Sequence, residues 1–164
     1  MESDSYPRWL TEHDNNGNLR EVGPGLFVGD SCAVSVRRPD GHKIPWIAVL
    51  DLYGSSHAHS YRYDHAKELV TLPMKDGDRI PTTTLDIAWE LYRKSRGLPV
   101  LLHCQAGLSR SASVAYALLR RKHYLTHGEA LLRVQVPVYG STYPMENTLN
   151  SARTWAEQHA TPGR

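Results

Sequence analysis

Short, dominantly apolar runs alternate along the chain with longer stretches that are apolar on one face. The runs are Leu26-Phe27-Val28, Trp46 to Leu50, Val70-Thr71-Leu72 and Val100-Leu101-Leu102. Runs of this length, bounded by glycine, proline or charge, predict strands covered on both faces, as in a mostly parallel sheet. Leu85, Ala88, Trp89 and Tyr92 recur at helical spacing, with Asp86, Glu90, Arg93 and Lys94 facing outward. Thr83 or Thr84 caps that helix, Gly97 stops it, and Glu90 with Lys94 makes an i,i+4 pair. Ala112, Val114, Ala115, Ala117, Leu118 and Leu119 cover most of a helix circumference and predict a buried helix as far as Arg120. Thr126-x-x-Glu129 reads as a capping box opening a helix to about Val134, which Pro137 ends. Leu149, Ala152, Ala156 and His159 give a final helix one face.

The shorter pieces complete the order. Asp30 or Ser31 caps a short helix to Val36, and residues 66–69 close another. Residues 55–65 form a loop, and Met74 to Pro81 an acidic one. The whole predicts a small single α/β domain, a central mostly parallel sheet flanked by helices. Residues 1–22 read as an N-terminal arm with a turn at Asn15-Asn16-Gly17-Asn18, anchored through Trp9 and Leu10. Residues 23–160 are the domain and 161–164 a C-terminal tail.

Composition narrows the function classes. With 164 residues, 40% hydrophobic and 22% charged, the chain reads as one soluble domain. A net charge of +2 gives no case for a nucleic-acid partner. No apolar run approaches a membrane span, residues 1–20 hold no signal-peptide core, and Thr161-Pro162-Gly163-Arg164 is no prenylation box. Two cysteines in unlike settings argue against a disulfide framework. A cytoplasmic monomer without membrane contact is expected. His57, His59 and His65 invite a metal, but no cysteine or third ligand lies at metal spacing, so solvated histidines and no metal or other cofactor are expected.

The candidate chemistry lies in His103-Cys104-Gln105-Ala106-Gly107-Leu108-Ser109-Arg110-Ser111, between the buried run at 100–102 and the buried helix. In an open α/β sheet, ligands collect at the carboxyl ends of strands. A loop opening a helix presents unpaired N–H groups and a positive dipole end to an anion. Cys104 is therefore a nucleophile placed where an oxyanion binds. The bare Cys-x5-Arg spacing is weak, because Cys32 and Arg38 repeat it. That copy encloses two stiff valines and no glycine, follows no buried strand, and is followed by Pro39. It is a decoy. Asp51, at the end of the Trp46 run, bonds the Cys104 loop or caps the next turn.

His-Cys-x5-Arg-Ser resembles the signature of the cysteine-based protein tyrosine phosphatases. Ala106-Gly107-Leu108-Ser109-Arg110-Ser111 is most similar to the dual-specificity branch, as is the Gly25-Leu26-Phe27-Val28-Gly29 opening. The resemblance makes residues 23–160 a phosphatase catalytic domain. It implies hydrolysis of phosphate monoesters on proteins through a cysteinyl-phosphate intermediate. Cys104 is then the nucleophile, and Gln105, Ala106, Gly107, Leu108, Ser109 and Arg110 hold the phosphate. Ser111 assists departure of the sulfur, and His103 braces the loop. The general acid is an aspartate on an upstream loop. Asp76 is preferred because Asp76-Gly77 with a following proline looks like the acid loop of the phosphatase-of-regenerating-liver branch, and Asp78 is the alternative.

One departure is Leu132-Arg133-Val134-Gln135, where relatives often carry two arginines. The chain lacks the extra aromatic loop of the classical tyrosine-specific enzymes, which favours a pocket open to phosphotyrosine, phosphoserine and phosphothreonine. Phosphoinositide enzymes of the superfamily place lysines where Gln105, Ala106 and Leu108 stand. Phosphoinositides, RNA 5′-phosphates and a phosphopeptide-binding module without turnover are the alternatives.

Overall fold

The computed structural model describes residues 17–138 and 141–159. Trp9, Leu10 and the 161–164 tail lie outside the described residues. Five strands form the main sheet: β1 (Arg20–Gly23), β2 (Leu26–Gly29), β3 (Ala48–Asp51), β4 (Leu69–Thr71) and β5 (Val100–His103). Their order is β1-β2-β5-β3-β4, and all neighbours are parallel except β1 with β2. The central strand is β5. Its register sets His103 between Gly29 on one side and Asp51 on the other.

The unbroken apolar runs are explained by the two covered faces. Successive side chains on a strand point to opposite faces. Leu26, Val28, Ala48, Leu50, Val100 and Leu102 join one buried cluster with the helices α2 (Thr82–Ser95), α3 (Arg110–His123), α4 (His127–Val134) and α5 (Glu146–Gln158). Phe27, Val49 and Leu101 face the other way, onto Leu19, Val34, Trp46 and Tyr63. The helix α3 is buried from Arg110 to Leu119, as its all-round apolar surface requires, and packs on α2, α4 and α5. The capping box is in place. Thr126 Oγ1 accepts from Glu129 N–H, and Glu129 Oε1 accepts from Thr126 N–H.

Several local expectations are corrected. The strand β1 draws residues 20–22 of the expected arm into the sheet, antiparallel to β2. The turn between them uses Gly25 at φ +71°, where a Cβ would lie 2.6 Å from the Gly97 carbonyl oxygen. The expected helix after β2 is a single 3-10 turn, Ala33–Ser35, and Asp30 Oδ1 closes a turn on Cys32 N–H instead of capping it. Residues 55–65 hold α1 (Ser55–Ala58) and a 3-10 turn at Ser60–Tyr63. The helix expected at 66–69 is absent: Glu68 carbonyl accepts from Val49 N–H, and β4 begins at Leu69.

Further along, α2 starts behind Pro81, whose carbonyl takes the Thr84 and Leu85 N–H groups, so neither threonine caps it. Glu90 pairs with Arg93 rather than Lys94. The helix α4 ends at Val134, as expected, with Pro137 three residues beyond. That proline lies in a two-stranded ribbon of β6 (Val136–Val138) and β7 (Ser141–Tyr143). The helix α5 ends before His159 and buries Trp155 on its face, with the indole N–H donating to Asp86 Oδ1 at 2.9 Å.

Candidate active site

The chain leaves β5 at His103 and turns back into α3 within six residues, Cys104 to Ser109. Neighbouring loops hold that turn. Cys104 N–H donates to Gly29 carbonyl, and Ser31 N–H donates to Gln105 carbonyl. Gly107 takes φ +74° and lies so close to β2's end that a Cβ would sit 2.7 Å from Gly29 carbonyl carbon. No other residue type fits both the conformation and the space. The result aims Gly107 N–H at Cys104 Sγ, 3.3 Å away. Ser111 Oγ, one residue into α3, lies 3.2 Å from the same sulfur. Cys104 is 2% exposed. Both contacts suit a sulfur that carries negative charge.

Arg110 is the first residue of α3, and its side chain is buried. One Nη1–H donates to Met74 carbonyl at 2.7 Å, and Nε lies 3.7 Å from Asp76 Oδ1. Nε itself is buried and meets no hydrogen-bond acceptor among the described residues. Tyr53, just beyond β3, sets its ring 5.7 Å from the guanidinium carbon. The acidic loop is fixed on its other side by α5. Asn147 Nδ2 donates to Gly77 carbonyl, Thr148 Oγ1 to Asp78 carbonyl, and Ile80 N–H to Ser151 Oγ.

These elements enclose a cleft of about 80 Å³ lined by loop residues 104–106 and 108–110, by Asp76 and by Tyr143 of β7. Asp78 is exposed and not among the residues that line it. Ser109 closes the base by accepting Met145 N–H on its hydroxyl at 2.9 Å.

Behind the loop lies a buried polar group. His103 Nδ1 is 3.4 Å from Cys104 carbonyl, and Nε2 is 2.9 Å from Tyr63 hydroxyl and 3.5 Å from Asp51 Oδ1. Burial holds His103 below the usual histidine range, only partly opposed by Asp51. Burial also pushes the Tyr63 phenol up to about 12. A neutral imidazole with its proton on Nδ1 satisfies both neighbours, donating to Cys104 carbonyl and accepting from Tyr63. Asp51 proves to be a turn cap. It accepts from the N–H groups of Tyr53, Gly54 and Ser56 and from Ser56 hydroxyl. Burial pushes its pKa up, but His103 and the Ser56 and Gly54 bonds outweigh that and hold it below the ordinary value.

No family model matches the chain. It is 31% identical over 131 residues to mouse dual specificity protein phosphatase 2, covering 78% of this chain and 39% of the relative. It is 27% identical over 125 residues to human dual specificity protein phosphatase 12, covering 73% and 36%. The chain thus spans less than two-fifths of the length of these curated relatives. Among solved structures, PTPMT1 in complex with PI(5)P superposes with a TM-score of 0.65 at 16% identity, over 86% of this chain and 96% of that one. These relatives support the cysteine-based protein tyrosine phosphatase superfamily, in its dual-specificity-like branch, as the family of this chain.

Of the residues singled out in the sequence, the phosphatase-like fold brings Cys104, Arg110, Ser111 and Asp76 together and leaves Asp78 outside the cleft. Tyr143 and Tyr53 are additions. The position of Tyr53 just past a strand's carboxyl end was an available signal. Tyr143 gave none, because only the β6–β7 ribbon carries it to the cleft. His65 turns Nε2 to Val34 carbonyl at 3.1 Å.

Proposed function

We propose that this domain hydrolyses phosphate monoesters on proteins, on tyrosine as well as serine and threonine, through a phosphocysteine at residue 104. The reading rests on one buried sulfur that accepts Gly107 N–H and lies 3.2 Å from Ser111 Oγ, in a cleft shared with Arg110 and Asp76. The reaction takes two displacements. In the first, Cys104 thiolate attacks phosphorus, the S–P bond forms, and the ester P–O bond breaks. Asp76 gives its proton to the departing oxygen. In the second, water attacks phosphorus and passes a proton to the Asp76 carboxylate. The S–P bond then breaks with its electrons returning to sulfur, where Ser111 donates a hydrogen bond.

Loop N–H groups and Arg110 follow the three equatorial oxygens through both steps. A planar guanidinium matches that charge bidentately, which an ammonium does not. Asp76 lines the cleft and Asp78 does not, which supports Asp76 as the acid. In this reading the catalytic domain expected over residues 23–160 also takes in β1, and it is a cytoplasmic monomer acting on phosphorylated proteins without metal or other cofactor.

A second reading is a phosphoinositide substrate, favoured by the shared fold with PTPMT1. Against it, Gln105, Ala106 and Leu108 offer no cation to a further headgroup phosphate. An aryl phosphate assay of wild type against Cys104→Ser, in the presence of a chelator, tests the enzyme. Wild-type turnover no faster than the variant contradicts it. A panel of phosphopeptides, phosphoinositides and 5′-phosphorylated RNA then separates the substrates, with phosphopeptides expected to lead.

A further inference from the structure

The loop is held from outside by a segment remote in sequence. Gly17 and Asn18 take consecutive left-handed conformations, φ +61° and +54°. A Cβ at position 17 would lie 2.8 Å from Ala33 Cα, and Gly17 carbonyl accepts Asp30 N–H at 2.8 Å. Asparagine is among the few side-chain-bearing residues that tolerate the conformation at 18. Arg20 ties the same turn to the end of α4, donating to Asn18 carbonyl at 3.1 Å and Val134 carbonyl at 3.3 Å. The bracket so formed delivers Asn18 Nδ2 to Ala106 carbonyl at 2.8 Å, across 88 residues of chain.

Ala106 carbonyl and Gly107 N–H belong to one trans peptide unit and point in opposite directions. With the oxygen held outward by Asn18, the N–H faces inward onto Cys104 Sγ at 3.3 Å. The preceding unit is treated alike. Ser31 N–H holds Gln105 carbonyl at 3.1 Å, which turns Ala106 N–H the other way. We propose that Asn18 is a positioning residue for phosphoryl transfer, clamping the Ala106–Gly107 peptide so that its N–H points at the Cys104 sulfur and the phosphoryl oxygens. The proposal rests on the phosphatase reading for its rate effect, but not for its effect on oxyanion binding. Released, that peptide can rotate and set a carbonyl oxygen against the anion, the opposite dipole.

The test measures kcat and KM for an aryl phosphate, Kd for orthovanadate and Tm in wild type, Asn18→Gly and Asn18→Asp. Glycine keeps the left-handed backbone and removes the amide. Aspartate keeps the shape and turns an acceptor toward Ala106 carbonyl. Losing an oxyanion donor outright costs roughly 10²–10³ in kcat, so misdirecting one is expected to cost about tenfold in Asn18→Gly and more in Asn18→Asp. Vanadate Kd is expected to rise in the same proportion, with KM moving less than about threefold. Vanadate Kd equal to wild type in both variants overturns the proposal, whatever happens to Tm. If Asn18→Asp does not fold, the Asn18→Gly comparison decides alone. A wild type that binds vanadate without turning over aryl phosphate refutes the phosphatase reading and leaves the Kd comparison to decide this one. A wild type that does not bind vanadate overturns both.

Discussion

The chain carries Cys-x5-Arg twice, and the structure gives the two copies opposite surroundings. Cys104 is buried at the end of the central strand, and Arg110 is buried six residues on as the first residue of α3. Cys32 is exposed ahead of a single 3-10 turn, after which Val36 is extended. Arg38 is a surface side chain paired with Asp40 at 3.0 Å. In the first copy Gly107, in a left-handed conformation against β2's end, reverses the chain so that an N–H meets the sulfur. In the second copy, Cys32 N–H bonds Asp30 Oδ1. Spacing alone is thus empty. A strand to deliver the sulfur, a glycine to turn the loop and a long helix to seat the arginine make the difference.

That contrast can be broken most sharply at the cysteines. Cys104→Ser is expected to lower kcat by about 10⁴-fold or more, because the whole covalent route is lost. Cys32→Ser is expected to stay within about twofold. An aryl phosphate assay of both variants checks the pair. Next come the arginines. Arg110→Lys keeps the charge and loses the planar fork, and roughly 10²–10³-fold in kcat is expected, against no change for Arg38→Lys. The acid loop sharpens the picture further. Asp76→Ala is expected to cost about 10²-fold in kcat with poor leaving groups and far less with good ones, while Asp78→Ala stays near wild type. Leaving-group dependence retained in Asp76→Ala would reassign the acid.

Smaller effects fall on stability. Gly107→Ala forces a Cβ to 2.7 Å from Gly29 backbone at φ +74° and is expected to lose about 2 kcal/mol by urea denaturation. The mildest effect is on pH. His65, His103, His123 and His127 are each held below the usual histidine range by burial. As pH falls below about 6.5 the unfolded chain takes up protons that the folded one resists, so stability drops toward acid. Asp51, held below the ordinary aspartate range, adds a second loss at lower pH still. The urea midpoint is expected to be lower at pH 5.5 than at pH 7.5, with a shallower difference in His103→Gln.

What could be read from the sequence divides on the same physical line. The strand β5, the helix α3 and the α4 cap were legible because each announces itself within a dozen residues, by an unbroken apolar run, an all-round apolar helix or a reciprocal cap. The strand β1 was not, because Arg20 and Glu21 carry no strand pattern and its place depends on pairing with β2. The ribbon holding Tyr143 has three residues a side and a proline in one. Asp76 and Asp78 looked alike until Arg110 and α5 separated them. Asn18, part of a turn expected in a polar arm, reaches the loop only because the chain folds back across 88 residues.

In the proposed reaction Cys104 becomes covalently phosphorylated. Asp76→Ala protein mixed with an aryl phosphate, quenched in acid and mapped by peptide mass spectrometry tests it most directly. One added phosphoryl group is expected on the peptide carrying Cys104 and none on the peptide carrying Cys32. Turnover without a phosphoryl group on Cys104, or with one on another residue, would contradict it.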